Sequence, residues 1–213
     1  MNTENGPVAT IDAAAKRAEI ARRSDLTGTE RRALLTDTID AWLRQLFAKA
    51  THGHDPEQFC LVAIGGYGRR EMSASSDIDV LMLHDPRATD VEQVCSAIWY
   101  PIWDSGIALD HSVRTVAQAR VLAQEDYKVV LGLLDARPVA GNVALAESLR
   151  AGVLGDWRAS AASRLGDLHE MVMARRARSG DLAQLLEPDV KDSYGGLRDA
   201  VVLRALAASW VVE

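Results

Sequence analysis

The feature that most constrains this chain is a short apolar run, Phe59-Cys60-Leu61-Val62-Ala63-Ile64, that delivers Gly65-Gly66 and is followed, after a polar turn at 73–76, by Asp77-Ile78-Asp79-Val80-Leu81. The first run has the length of a strand, and the glycine pair marks a tight turn at its end. In the second, Ile78, Val80 and Met82 alternate with Asp77, Asp79 and Leu81, which is the two-residue period of a strand. Side chains at i and i+2 of a strand share a face, so Asp77 and Asp79 bring two carboxylates onto one surface while Ile78 and Val80 turn toward a core.

The flanking segments complete an α/β arrangement. Apolar residues recur at helical spacing over 8–23 and 29–49, as in Leu34, Leu35, Ile39, Trp42, Leu43 and Leu46, predicting two amphipathic helices with Thr29 as the N-cap of the second. His52-Gly53-His54-Asp55-Pro56 breaks that pattern. A helix is expected over 89–105, with Pro101 bending or ending it, and Gly106 opens a third strand over 107–113. Beyond Thr115 the pattern reads as almost wholly helical, with a long Arg-rich helix over 156–178, a glycine-containing loop over 179–196 and a final helix from Leu197. The expected organisation is N-terminal helices over 1–52, an α/β core over 53–115 and a helical domain over 116–213. The closing Trp210-Val211-Val212-Glu213 has no glycine or proline stop signal, so the last domain reads as truncated at its C-terminus.

Composition narrows the function classes. A formal net charge of −6 argues against a protein that coats nucleic acid, which needs clustered Lys and Arg. Cys60 and Cys95 lie in apolar segments without Cys-x-x-Cys spacing and read as small buried hydrophobes. The polar first ten residues lack a signal-peptide pattern, and no segment is apolar over the roughly 18 residues of a bilayer crossing. A cytoplasmic protein with no membrane partner and no nucleic-acid partner is expected.

Paired acids on one face suit a hard divalent cation, because Mg²⁺ takes oxygen ligands and commonly relies on one or two carboxylates together with substrate phosphates. The glycine turn adds a second element, since glycines let backbone approach an anion closely and successive amide N–H groups can cradle phosphate. Arg69 and Arg70 follow that turn and could neutralise a triphosphate. Neither Gly-x-x-x-x-Gly-Lys-Ser/Thr nor Gly-x-Gly-x-x-Gly is present, which removes support for a P-loop or a Rossmann dinucleotide site.

Ile64-Gly65-Gly66-Tyr67-Gly68-Arg69 followed by Ser76-Asp77-Ile78-Asp79-Val80-Leu81 resembles the signature of the DNA-polymerase-β-like nucleotidyltransferase superfamily. Within it the chain resembles the PII-protein uridylyltransferases, through His111-Ser112-Val113-Arg114-Thr115 and through Leu186-Glu187-Pro188-Asp189-Val190-Lys191 with Gly195-Gly196-Leu197-Arg198-Asp199. That resemblance implies a mixed sheet with flanking helices. On it Asp77 and Asp79 hold two Mg²⁺ ions, or Mn²⁺ in their place, and Asp110 serves as third carboxylate and catalytic residue. Family members often carry that acid two residues earlier, where this chain has Ala108. The nucleotide contacts implied are Gly65, Gly66, Arg69, Ser76, Lys191 and Arg198, although Lys191 and Arg198 read equally well as members of helix-surface salt bridges. Arg70 replaces the family's usual glycine and reads as exposed, and His111 reads as a hydrogen-bonded structural group.

The activity implied is transfer of UMP or AMP from UTP or ATP to a tyrosine hydroxyl of the PII nitrogen-signalling protein, with release of pyrophosphate. His84-Asp85 stands without the further His and Asp ligands that the family's uridylyl-removing domain gathers, so no hydrolase is expected in this chain. Two other readings stand beside this one: a nucleotide-binding regulatory module of the same fold with weak catalysis, and a nucleotidyltransferase with a different acceptor.

Overall fold

A computed structural model describes residues 11–209. The start of the first expected helix at 8–10 and the apolar end at 210–213 lie outside the described residues. The chain divides into two units, Met1–Ala117 with Asp135–Glu147, and Gln118–Leu134 with Ser148–Glu213.

The first unit is built on a four-stranded mixed sheet of order β3-β2-β1-β4: β1 is Phe59–Ala63, β2 Ile78–His84, β3 Leu109–Arg114 and β4 Arg137–Gly141. β1 pairs antiparallel with β2 and with β4, and β2 pairs parallel with β3. All five residues of β1 are buried, in accord with an unbroken apolar run covered on both faces. Helices α1 (Ala13–Arg22), α2 (Gly28–Ala50) and α4 (Val91–Asp104) belong to the same unit, and Ile39, Trp42, Leu43, Leu61, Ile78, Val80, Met82, Val94 and Ile98 form one buried core. Cys60 and Cys95 are buried free thiols, as their apolar settings imply.

Three local expectations are corrected. The N-cap of α2 is Thr27, not Thr29: the Thr27 side chain accepts from the Glu30 amide at 3.3 Å and the Glu30 carboxylate accepts from the Thr27 amide at 2.8 Å. This reciprocal capping box satisfies two orphan amides at once, which Thr29 inside the first turn could not do. Of the two readings of Pro101, bending or ending the helix, the second does not hold: α4 runs on to Asp104, within the expected 89–105, because a proline in the last turn costs only one intrahelical bond. The wholly helical reading beyond Thr115 misses β4, whose Arg137-Pro138 opening carries no strand alternation and whose pairing to β1 includes a register shift.

The second unit is helical, with most of α5 (Val116–Glu125), α6 (Tyr127–Leu133), the greater part of α7 (Val143–Ser179) and α8 (Leu197–Ala208). Trp157 is its largest buried side chain, and its indole N–H donates to the Ala205 carbonyl at 2.8 Å, tying α7 to α8. The loop between those helices is drawn together by an Asp181–Tyr194 bridge and by Arg176, whose guanidinium donates twice to Asp181 at 2.7 and 2.8 Å.

Candidate active site

The acid pair flanks Ile78, whose side chain is fully buried, so Asp77 and Asp79 both turn away from the core. Asp77 is exposed immediately ahead of β2, and Asp79 is half-buried within it. The parallel register places Asp79 directly beside Asp110 of β3. Neighbouring strands lie roughly 4.8 Å apart and paired residues share a face, so Asp110 reaches the surface that carries Asp79. Ala108 lies on the same side of β3 as Asp110, and its carbonyl accepts from the Ile78 amide at 2.8 Å.

The glycine turn abuts the acids. β1 ends at Ala63, the Ile64 amide donates to the Asp79 carbonyl at 3.1 Å, and the chain then folds into α3, Gly65–Gly68. Gly65 has φ of +55°, and a Cβ there would lie 3.5 Å from the Asp79 carboxylate. Its missing side chain thus does two things: it permits the left-handed turn and leaves backbone beside the acid. Gly68, part of the quoted signature but given no role of its own, is the tightest glycine of this turn: a Cβ there would lie 2.2 Å from the Asp135 carbonyl oxygen and 3.0 Å from that of Ala63.

A buried ionic group fixes this turn. Asp40 of α2, 1% exposed, accepts from Tyr67 Oη at 2.6 Å and from both terminal nitrogens of Arg137 at 2.7 and 3.0 Å. Arg137 Nε also donates to the Gly68 carbonyl at 3.3 Å, so α2, α3 and the start of β4 meet at one carboxylate. Burial and the adjacent Asp40 push the Tyr67 phenol well above its usual pKa, keeping it a neutral donor. Arg69 is bound into the same frame, its Nε donating to Glu71 at 2.6 Å and its Nη1 to Asp135 at 2.7 Å.

Arg70 is exposed and pairs with Asp37 at 2.5 Å, but its φ of +63° is a conformation in which glycine is at ease. That explains why a glycine at this position would suit the turn. Ser76 closes the polar turn ahead of Asp77, its hydroxyl accepting from the Ser73 amide at 2.9 Å. Arg17 of α1, only 7% exposed, donates through Nη2 to the carbonyls of Ala74 at 2.8 Å and Ser76 at 2.5 Å. Burial lowers the Arg17 pKa from its ordinary value and the Asp77 charge opposes that shift.

Not every candidate belongs to this unit. Lys191 and Arg198 lie in the second, where Lys191 is exposed and Arg198 pairs with Asp192. His111 packs its ring 5.0 Å from Trp99 and 5.6 Å from Trp103, centre to centre, and so takes part in an aromatic cluster. Among the described residues no three His, Cys, Asp or Glu side chains gather closely enough to cage a metal ion. A Mg²⁺ site does not require such a cage, because the ion keeps waters and draws ligands from substrate phosphates. Two hard carboxylates turned away from the core, one of them beside the Gly65 backbone, fit that kind of site.

Residues 15–105, which contain this acid pair and glycine turn, match the family described as "Putative nucleotidyltransferase DUF294". The part of the chain that holds the acid pair and the glycine turn is similar to a nucleotidyltransferase domain. Over 94% of its length it is similar to bifunctional uridylyltransferase/uridylyl-removing enzymes, at 50% identity to that of Streptomyces coelicolor and 42% to that of Mycobacterium tuberculosis. A third, from Legionella pneumophila, is 34% identical over 89% of the chain. The matched regions are 24%, 26% and 22% of those proteins, so the chain spans about a quarter of the length of the curated relatives it matches. A solved structure titled "Crystal structure of the toxin-antitoxin with AMP-PNP" overlaps 60% of this chain and 97% of its own at 16% identity and a TM-score of 0.40. Among the described residues no helix is long and apolar enough to cross a membrane.

Proposed function

We propose that this chain transfers UMP or AMP from UTP or ATP to a tyrosine hydroxyl of the PII signalling protein in the cytoplasm. The observation that supports this reading is Asp79, which pairs with Asp110 across the parallel strands and lies 3.5 Å from where a Gly65 Cβ would stand, in a chain half identical to a uridylyltransferase. Gly65 and Gly66 let backbone approach the triphosphate, and Ser76 orders the turn that leads into the acids. Arg69, already held by Glu71 and Asp135, stiffens the glycine turn and offers its remaining donors to phosphate. Lys191 and Arg198 are assigned to the nucleotide by their sequence block alone.

Asp77, Asp79 and Asp110 would hold two Mg²⁺ ions, or Mn²⁺, which when bound supply positive charge to the triphosphate and to the oxygens of an in-line displacement. The acceptor phenol, with an ordinary pKa of about 10, is protonated at neutral pH and must lose its proton as it attacks. A carboxylate of the triad, Asp110 above all, is the base at hand. The tyrosine oxygen bonds to the α-phosphorus, the bond from that phosphorus to the bridging oxygen breaks, and pyrophosphate leaves.

Incubating the chain with PII, Mg²⁺ and labelled UTP or ATP tests this. Label should accumulate on PII and disappear in Asp77→Asn and Asp79→Asn. Tight nucleotide binding without transfer would instead favour a regulatory module, the reading to which Ala108 lends its one argument.

A further inference from the structure

Arg17 stands apart from the other buried charges of the first unit. Its helix α1 buries Ala13, Arg17 and Ile20, so a guanidinium occupies the middle of the helix's apolar stripe. A buried arginine is costly unless its donors are satisfied, and here satisfaction is partial. Nη2 serves the Ala74 and Ser76 carbonyls, whereas Nη1 is buried with no hydrogen-bond partner. Those carbonyls belong to the turn that ends at Asp77, and they lie 57 and 59 residues from Arg17 in sequence. A packing role would be met by a methionine of similar length at lower desolvation cost.

We propose that Arg17 is a positioning residue of the nucleotidyl-transfer site, clamping the 73–76 turn so that Asp77 presents its carboxylate beside Asp79 for a divalent cation. The inference rests on the metal-dependent reading above and adds a residue from α1 to the machinery. The turn's internal bonds, from the Ser73 amide to Ser76 Oγ at 2.9 Å and between the two serine hydroxyls at 3.0 Å, hold its shape but tie it to nothing else. Arg17 joins that closed turn to a packed helix. Asp77 itself sits outside the β2 ladder and is exposed: Ile78 after it turns it away from the core, and the residues just before it hold its other side. Two backbone carbonyls held by one planar guanidinium fix both the distance and the tilt of that approach.

The test is Mn²⁺ binding to the full chain in the presence of UTP, followed by electron paramagnetic resonance of the free ion, with steady-state transfer to PII measured in parallel. Arg17→Met is expected to weaken Mn²⁺ binding about five-fold or more. It should lower kcat about ten-fold, leave the KM for UTP within about three-fold, and preserve the circular dichroism spectrum. Arg17→Lys, which keeps a buried donor and charge, should recover part of both losses, and it carries the test if Arg17→Met does not fold. Unchanged Mn²⁺ affinity in these variants, with binding still abolished by Asp77→Asn, would overturn the Arg17 role and leave the metal reading standing. Tighter Mn²⁺ binding in Arg17→Met would also overturn it, because the guanidinium would then only repel the cation. Wild-type chain that binds no Mn²⁺ would overturn both.

Discussion

Asp40→Ala tests how the glycine turn is held beside the acids. The carboxylate accepts four hydrogen bonds, from Tyr67 Oη at 2.6 Å, Arg137 at 2.7 and 3.0 Å, and Arg44 Nη2 at 3.3 Å. Removing it strands the Tyr67 hydroxyl in a residue 1% exposed, at a cost of about 1–3 kcal/mol. It also strands Arg137, and breaking a buried pair by deleting one partner costs about 3–5 kcal/mol in all. The Arg137 and Arg44 side chains retain 22% and 54% exposure, so each can turn part of its charge to water. The expected loss is therefore at the lower end of that range, about 3–4 kcal/mol.

Against a total stability of about 5–15 kcal/mol, that loss should be plain in a urea titration followed by circular dichroism and tryptophan fluorescence. Trp42 and Trp99 report on the first unit and Trp157 on the second, so replacing Trp157 by Phe confines the signal of described tryptophans to the unit carrying the mutation. Adding Arg137→Met should recover part of the loss, because an apolar replacement of both partners leaves no uncompensated buried charge. A single mutant that loses less than about 1 kcal/mol, or a double mutant whose loss equals the sum of the two singles, would refute the account of Asp40 as the anchor of the turn.

Gly68→Ala should cost about 1–3 kcal/mol in the same titration and lower nucleotide transfer, because the two nearest atoms its Cβ meets, at 2.2 and 3.0 Å, are backbone carbonyl oxygens that cannot swing aside. Arg70→Gly and Arg70→Ala both lose the exposed Asp37 pair, but only alanine keeps a side chain at φ +63°; glycine should be the more stable of the two by about 1 kcal/mol by thermal melting. Burial raises the Cys60 and Cys95 thiols from an ordinary 9.0 to about 12. The folded chain then holds protons that the unfolded chain releases, so stability from this source is full below pH 9.0 and falls as pH rises toward about 12, a slope that Cys60→Ala with Cys95→Ala should reduce.

The sheet and the acid pair were legible because they rest on period and punctuation. Alternation through Ile78, Val80 and Met82 marked β2, and the glycine pair marked where β1 had to stop. β3 was marked by Gly106 ahead of it, and its parallel register sets Asp110 beside Asp79. β4 was not legible, since a strand that starts Arg-Pro and slips register midway has neither alternation nor a clean apolar run. Its identity comes from pairing with a strand far away in sequence, which no local window contains.

The frame around the site escaped for a different reason. Reading a helix as amphipathic treats every charged residue as belonging to the wet face, yet Arg17 falls four residues after buried Ala13 and three before buried Ile20. Asp40 likewise sits between buried Ile39 and Leu43. Both positions are inward by phase, and a charge that the helical period turns inward must find partners or be removed by selection. Phase alone thus predicts that each residue is bound to something, though not to what. The partners, a turn near Asp77 for Arg17 and the glycine turn's tyrosine for Asp40, are supplied by the sheet. The two inward charges of the N-terminal helices therefore point to the two loops that flank the acids. That common direction is the reason to treat α1 and α2 as part of the frame around the acid pair.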